Sequence, residues 1–262
     1  MKKNNITIIM LFVLNLFYAQ NKFKNIEIIY ELNYKISKQD TTDIRSEDFL
    51  LSINNGVSFF SSVNFNIGDS ITKNSKNLAD IYKIPKTKFT NTIEKNIKSS
   101  LMTYYQKVGT DKFKYVDSLP LLKWKLLNEE KKIGDFVCKK ATVSFAGRNY
   151  IAWYSLDFSV FDGPFKFYGL PGLIFQIYDT SNDYNFILKS IKTPLNTRLY
   201  DIKNYKELTK DDFFKWVNKY KNNPELLLKN SPIQLSDEDM KRVKLKYIEK
   251  NSYENNPIEL SY

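Results

Sequence analysis

This sequence predicts a mainly β fold: a curved antiparallel sheet or open half-barrel with a few packed helices, including C-terminal ones. Three observations carry that expectation. Ile26, Ile28, Tyr30, Leu32, Tyr34 and Ile36 recur at period two against Glu27, Glu31, Asn33, Lys35 and Ser37, the pattern of a long strand buried on one side. Asn54-Asn55-Gly56 separates two short apolar runs, and an Asn-Gly pair tolerates the positive φ of a hairpin turn. Residues 124–191 then read as an antiparallel meander with most strands joined by short turns.

Taken in order, the chain opens with Lys2 and Lys3, a mostly apolar run over residues 6–17, and Ala19 before Gln20. That is the pattern of a secretory signal over residues 1–19, leaving residues 20–262 as a single β-rich domain. The apolar run is too short to span a bilayer, and no cysteine near the cut offers a lipid anchor. Export to the periplasm or cell surface is expected, with membrane contact peripheral at most. After the strand at 26–37, residues 49–53 and 57–61 form the Asn-Gly hairpin. Residues 64–98 are polar and poorly periodic, and are expected to be loops with a short helix around 77–82. Residues 101–108 and 112–116 resume strand composition around Gly109.

Residues 124–128 are expected to be extended and 129–134 to form a charged turn. Val137, Ala141, Val143 and Phe145 share a face of the next strand, broken only by Lys139. Ala146-Gly147-Arg148 turns the chain into residues 150–156, and 173–178 pair with 184–191. The period then changes. Thr209 precedes Asp211 and Asp212, and Phe213, Val217 and Tyr220 recur at helical spacing with Trp216 beside them, ended by Asn222-Asn223-Pro224. Ser236 opens a second helix, with Asp237, Glu238 and Asp239 in the first turn and Met240, Val243 and Tyr247 as its stripe. Residues 255–262 are extended.

Composition excludes more than it suggests. There is no histidine, and Cys138 is the sole cysteine. Ser-His-Asp and Cys-His catalysis are therefore impossible within the chain, as are histidine or multi-thiolate zinc sites. No metal or cofactor is implied. Cys138 lies in an apolar-alternating segment and reads as a buried small hydrophobe. The formal charge of +11 would suit anionic partners, but the lysines are scattered, as AT-rich coding would leave them. With export expected, nucleic acid is not an expected partner.

Residues 163–174 hold three of the eight glycines and two of the eight prolines in one aromatic stretch. Leu170-Pro171-Gly172-Leu173 suits a type II turn, with Pro171 presetting φ and Gly172 taking the positive φ that follows. Gly169 allows close approach of the backbone. The run reads either as a corner feeding a buried strand or as a ligand-facing loop; without a following Gly-Lys-Ser/Thr it is not a phosphate loop. Trp153, Tyr154, Phe158, Phe161, Phe165, Phe167, Tyr168 and Phe175 surround it. Most belong to the core, but alternation lets one set line a groove. Asp135, Asp157 and Asp162 with Arg148 read either as turn formers and an ion pair, or as the acid and base of a glycosidase.

The hexapeptide Gly169-Leu170-Pro171-Gly172-Leu173-Ile174 resembles the signature of the GLPGLI family. The likeness continues through Cys138 with Lys140-Ala141, Phe145-Ala146-Gly147-Arg148, Ala152-Trp153-Tyr154, Gly163-Pro164, and Asn256-Pro257-Ile258-Glu259 near the C-terminus. The resemblance implies export in a Gram-negative bacterium, a β-rich body and no assigned activity. The expected function is that of a non-catalytic envelope accessory or binding protein. It would serve a hydrophobic or extended ligand or an outer-membrane partner such as a TonB-dependent receptor system. The alternatives are a carboxylate-dependent glycan hydrolase and a structural envelope protein. The candidate binding residues are Arg148, Trp153, Tyr154, Tyr168, Gly169, Leu170, Pro171 and Gly172; no catalytic residue is assigned.

Overall fold

The computed structural model describes residues 25–261 apart from residues 76, 110, 196–199, 201 and 229–234, so the expected signal at 1–19 lies outside the described residues. The chain runs β1 (Asn25–Lys35), β2 (Ile44–Asn54), β3 (Val57–Ser62), α1 (Val63–Asn74), a 3-10 turn (Leu78–Lys83), β4 (Asn91–Asn96), β5 (Leu101–Val108) and β6 (Asp111–Ser118). It continues β7 (Lys125–Ile133), β8 (Phe136–Phe145), β9 (Arg148–Ser155), β10 (Leu173–Asp179), β11 (Tyr184–Lys192) and β12 (Lys206–Glu207). Helices α2 (Lys210–Asn222), α3 (Glu225–Leu228) and α4 (Asp237–Tyr253) follow.

The strands form one sheet in the order β12-β6-β5-β4-β3-β2-β1-β11-β10-β9-β8-β7. All neighbours are antiparallel except the short β12 beside β6. Chain geometry forces this sheet to curl. Flat, the ten steps from β6 to β7 would span about 48 Å at ~4.8 Å per strand. Yet Lys125 follows Ser118 by seven residues, a reach of at most about 25 Å. The two ends of the sheet must therefore approach each other, giving the open half-barrel that the sequence predicts.

β1 alternates buried and half-buried residues along its whole length. Its inward set, Ile26, Ile28, Tyr30, Leu32 and Tyr34, forms the middle of the core. The hairpin turn falls at Asn55 (φ 51°) and Gly56 (φ 85°), as expected. Thr209 and Ser236 cap α2 and α4 by accepting from the amides of Asp212 and Asp239. The expected short helix near 77–82 is the 3-10 turn. The rest of 64–98 is more ordered than its composition suggests, holding α1 and β4. Ile67 and Ile71 of α1 lie over Ile29 and Leu50 across a shallow depression on the outer face. This explains why Ile29 breaks the polar side of β1: a helix covers it.

Three local expectations are corrected. Residues 129–133 are not a turn; β7 continues to Ile133, and the reversal falls at Gly134 (φ 59°) and Asp135. In β8, Cys138 is buried while Val137 is 45% exposed, because Phe136, Phe158 and Phe175 pack as a second aromatic cluster at this end. Gly172 does not take the positive φ of a type II turn; that conformation belongs to Gly169 at φ 86°. What Gly172 supplies is space: a Cβ there would lie 2.1 Å from the Ser155 carbonyl oxygen, whereas at Gly169 it would meet nothing within 4 Å. This segment lies against β9, with Leu173 opposite Ser155 and Ile174 opposite Tyr154. A bulge between Ile174 and Gln176 interrupts the strand's alternation, so Leu173, Ile174 and Phe175 are all buried.

Two measurements check these assignments. Gly172→Ala should destabilise by about 3 kcal/mol, the upper end of overpacking costs. Gly169→Ala should cost only about 1 kcal/mol, from backbone strain alone. Urea denaturation compares them, and equal losses would remove the close-approach account. Burial pushes the Cys138 thiol up to about 11, so iodoacetamide at pH 8 should label it only as fast as the protein opens. Rapid labelling of the folded chain would contradict that burial.

Candidate functional site

Between β9 and β10 the chain folds into a loop pressed against the inner face of the sheet. Gly169 N–H donates to Phe161 O at 2.9 Å, and Phe167 N–H to Pro164 O at 3.1 Å. Phe167 is fully buried, with the rings of Trp124, Phe145, Tyr150 and Phe165 around it. Lys95, wholly buried on β4, makes an ion pair with Asp162. Its ammonium also donates to Gly163 O at 2.9 Å and Phe167 O at 3.3 Å. Burial lowers the Lys95 pKa, and Asp162 opposes that shift. From the far edge, Trp124 Nε1 donates to Tyr168 O at 2.8 Å, and the Tyr168 hydroxyl donates to Pro120 O at 2.9 Å.

The extended C-terminal tail crosses the opposite end of the sheet. Arg148 holds it. Nη2 donates to Asn256 Oδ1 at 2.6 Å and Pro257 O at 2.8 Å, while Nη1 donates to Asp179 at 2.9 Å and Asp183 at 3.0 Å. Burial tends to raise the Asp183 carboxyl, but Arg148, Asn256 and Lys35 together hold it below its ordinary value. Tyr184 donates to Asn256 O at 2.6 Å, and Leu260 N–H to Ala146 O at 2.9 Å. Lys166 completes the latch, reaching both Glu259 oxygens at 2.7 Å.

Sheet, loop, tail and α2 enclose an apolar cavity of about 320 Å³. The sheet contributes Leu32, Phe49, Phe60, Tyr104, Tyr115 and Phe186; α2 roofs it with Phe213, Phe214 and Val217; the loop adds Phe165; Pro257, Ile258 and Glu259 of the tail form a wall. Asn91, Gln106, Asn218 and Lys221 bring polar groups to it. The roof is anchored by Trp216 stacked on Phe113 with centroids 5.7 Å apart, and by a hydrogen bond from the Tyr220 hydroxyl to Asp111.

None of the eight sequence-derived candidates lines this cavity, and they do not converge on one another. Arg148 and Ser155 stand at opposite ends of β9, about 23 Å apart at ~3.3 Å per residue. Gly169, Leu170, Pro171 and Gly172 lie at the Ser155 end. Tyr154 shares a face with Tyr150, whereas Trp153 points to the other side, beneath the ammonium of Lys131 at 4.4 Å. The carboxylates of the glycosidase reading are also dispersed. Asp135 is in an exposed turn, Asp157 accepts from the neighbouring Ser155 hydroxyl, and Asp162 is paired with Lys95. Among the described residues, no group of His, Cys, Asp and Glu could hold a metal ion. No helix of the described residues is long and apolar enough to cross a membrane.

No protein-family model matches the chain, and no curated protein does. Among solved structures it is similar to PNGF-II in two crystal forms, P21 and C2. The TM-score is 0.57 for both, with 17% and 18% identity over 76% and 75% of this chain. These matches cover 34% and 33% of PNGF-II, so this chain corresponds to about a third of that protein. The likeness is one of fold. A LolA superfamily protein from Nitrosomonas europaea aligns at 10% identity over 71% of this chain and 91% of its own, with a TM-score of 0.30.

The latch gives a prediction. Arg148→Met leaves Asp179 buried without its cationic partner, so the fold should lose about 3 kcal/mol or more. Residues 255–261 should become rapidly cleaved in limited proteolysis. An unchanged urea midpoint with an intact tail would show that Arg148 does not hold it.

Proposed function

We propose that this chain is a binding protein that holds a small apolar ligand between its curled sheet and α2. The observation that carries this reading is the wall of the cavity. It is built of aromatic rings from strands far apart in sequence, and its one carboxylate among the described residues, Glu259, is already paired with Lys166. Ligand sites are typically concave, mostly apolar and carry a few placed polar groups, with volumes from about 300 Å³ upward. A hydrolase would need two carboxylates converging on one cavity, and this wall supplies one. Export to a Gram-negative envelope and membership of the GLPGLI family belong to the same proposal, supported by the Lys-led apolar start and by the motifs of residues 134–177.

The neutral fluorophore N-phenyl-1-naphthylamine should brighten on binding the purified full chain. Val217→Trp fills the cavity from its roof, and should weaken that binding by about tenfold or more, roughly 1.4 kcal/mol, with the fold retained by circular dichroism. Wild-type affinity in a folded Val217→Trp protein would move the site elsewhere.

A further inference from the structure

Lys166 stands directly behind the cavity wall. Its side chain is only 7% exposed, and its ammonium hydrogen-bonds both oxygens of Glu259. It lies 5.5 Å from the Tyr104 ring and 5.4 Å from the Phe165 ring, and both rings face the cavity, as Glu259 does. Burial lowers the Lys166 pKa while Glu259 raises it. Glu259 is thus a carboxylate set between a buried cation and an aromatic chamber. It is carried on a tail with no helix or strand of its own.

A buried ammonium stripped of its partner is strongly disfavoured, but one anion can replace another without changing the buried charge. A neutral ligand therefore cannot evict Glu259, whereas a ligand bearing a carboxylate can. The displaced side chain has somewhere to go. On the far side of Lys166 lies a second depression of about 300 Å³, lined by Asp117, Lys166, Lys210, Glu259 and Ser261. There Lys210 pairs with Asp117 at 2.8 Å and offers a second cation.

We propose that the cavity takes an amphipathic acid, an apolar body ending in a carboxylate, whose head replaces Glu259 on Lys166. Glu259 is then a built-in stand-in for the ligand's head group. It keeps Lys166 neutralised in the empty protein and turns toward Lys210 when the acid arrives. This rests on the cavity reading above and narrows it to one ligand class.

Calorimetric titration of the full chain with dodecanoate and with dodecanol at pH 8 separates the two levels. The acid should bind about tenfold tighter than the alcohol, the scale of one charge-assisted hydrogen bond. Glu259→Gln removes the internal competitor and should widen that preference, with dodecanoate raising the melting temperature of the variant more than that of the wild type. The double variant Lys166→Met with Glu259→Gln has no buried charge to strand, and in it the preference should vanish. Equal wild-type affinities for acid and alcohol would overturn the proposal while leaving the cavity reading in place. So would a preference that survives in the double variant but is lost in Lys221→Ala, which would place the head at the mouth. Binding of neither compound would remove both readings.

Discussion

The buried ion pair between Lys95 and Asp162 is the constraint on which the rest of the inner face depends. Lys95 projects from β4, six strands from β9 in the sheet order, yet it holds the loop that leaves β9. Its three ammonium donors are all used, on Asp162, Gly163 O and Phe167 O. Such a pair adds little net stability over an apolar replacement, but loss of one partner costs about 3–5 kcal/mol. It therefore acts as a register pin: the loop has one position in which the lysine is neutralised. That position sets Phe165 at the cavity and Lys166 behind it. Gly163 completes the fit, because a Cβ there would lie 2.5 Å from Ile174 Cδ1.

The tail depends on the same logic at the other end. Arg148 and Lys166 are both cations buried by the fold and both satisfied in part by residues 256–259. The segment 163–174 and the run 256–259 are nearly ninety residues apart, yet the Lys166–Glu259 pair joins them. Motifs that look unrelated along the chain are thus two sides of one electrostatic closure.

What the sequence made legible was local. The alternation of β1, the Asn-Gly turn, and the Thr209 and Ser236 caps all state their structure within a few residues. β4 was illegible because one of its inward residues is Lys95, which breaks an apolar pattern for a reason visible only when Asp162 arrives. α1 was hidden because its apolar residues answer to Ile29 and Leu50 rather than to a strong stripe of their own. Gly172 invites a reading of backbone freedom, but its constraint is the carbonyl of Ser155, which no local pattern contains. The cavity was hidden most completely. Its walls are mostly ordinary phenylalanines and tyrosines gathered from five strands, the loop and a helix, whereas the residues that stood out in the sequence stood out for tight packing.

An open half-barrel, unlike a closed one, keeps two free edges, and free edges recruit other strands. Here each is spoiled differently. On one side the sheet ends in β12, a parallel pairing of only two residues, Lys206 and Glu207, against β6. On the other it ends in β7, whose pairing slips between Leu126 and Glu130 and which carries Glu129, Glu130, Lys131 and Lys132 in succession. A neighbouring chain seeking to extend the sheet meets a stub at one end and a kinked, charged strand at the other. The charge run of β7 that resembles a turn in the sequence is, in the fold, what makes this edge a poor template for another strand.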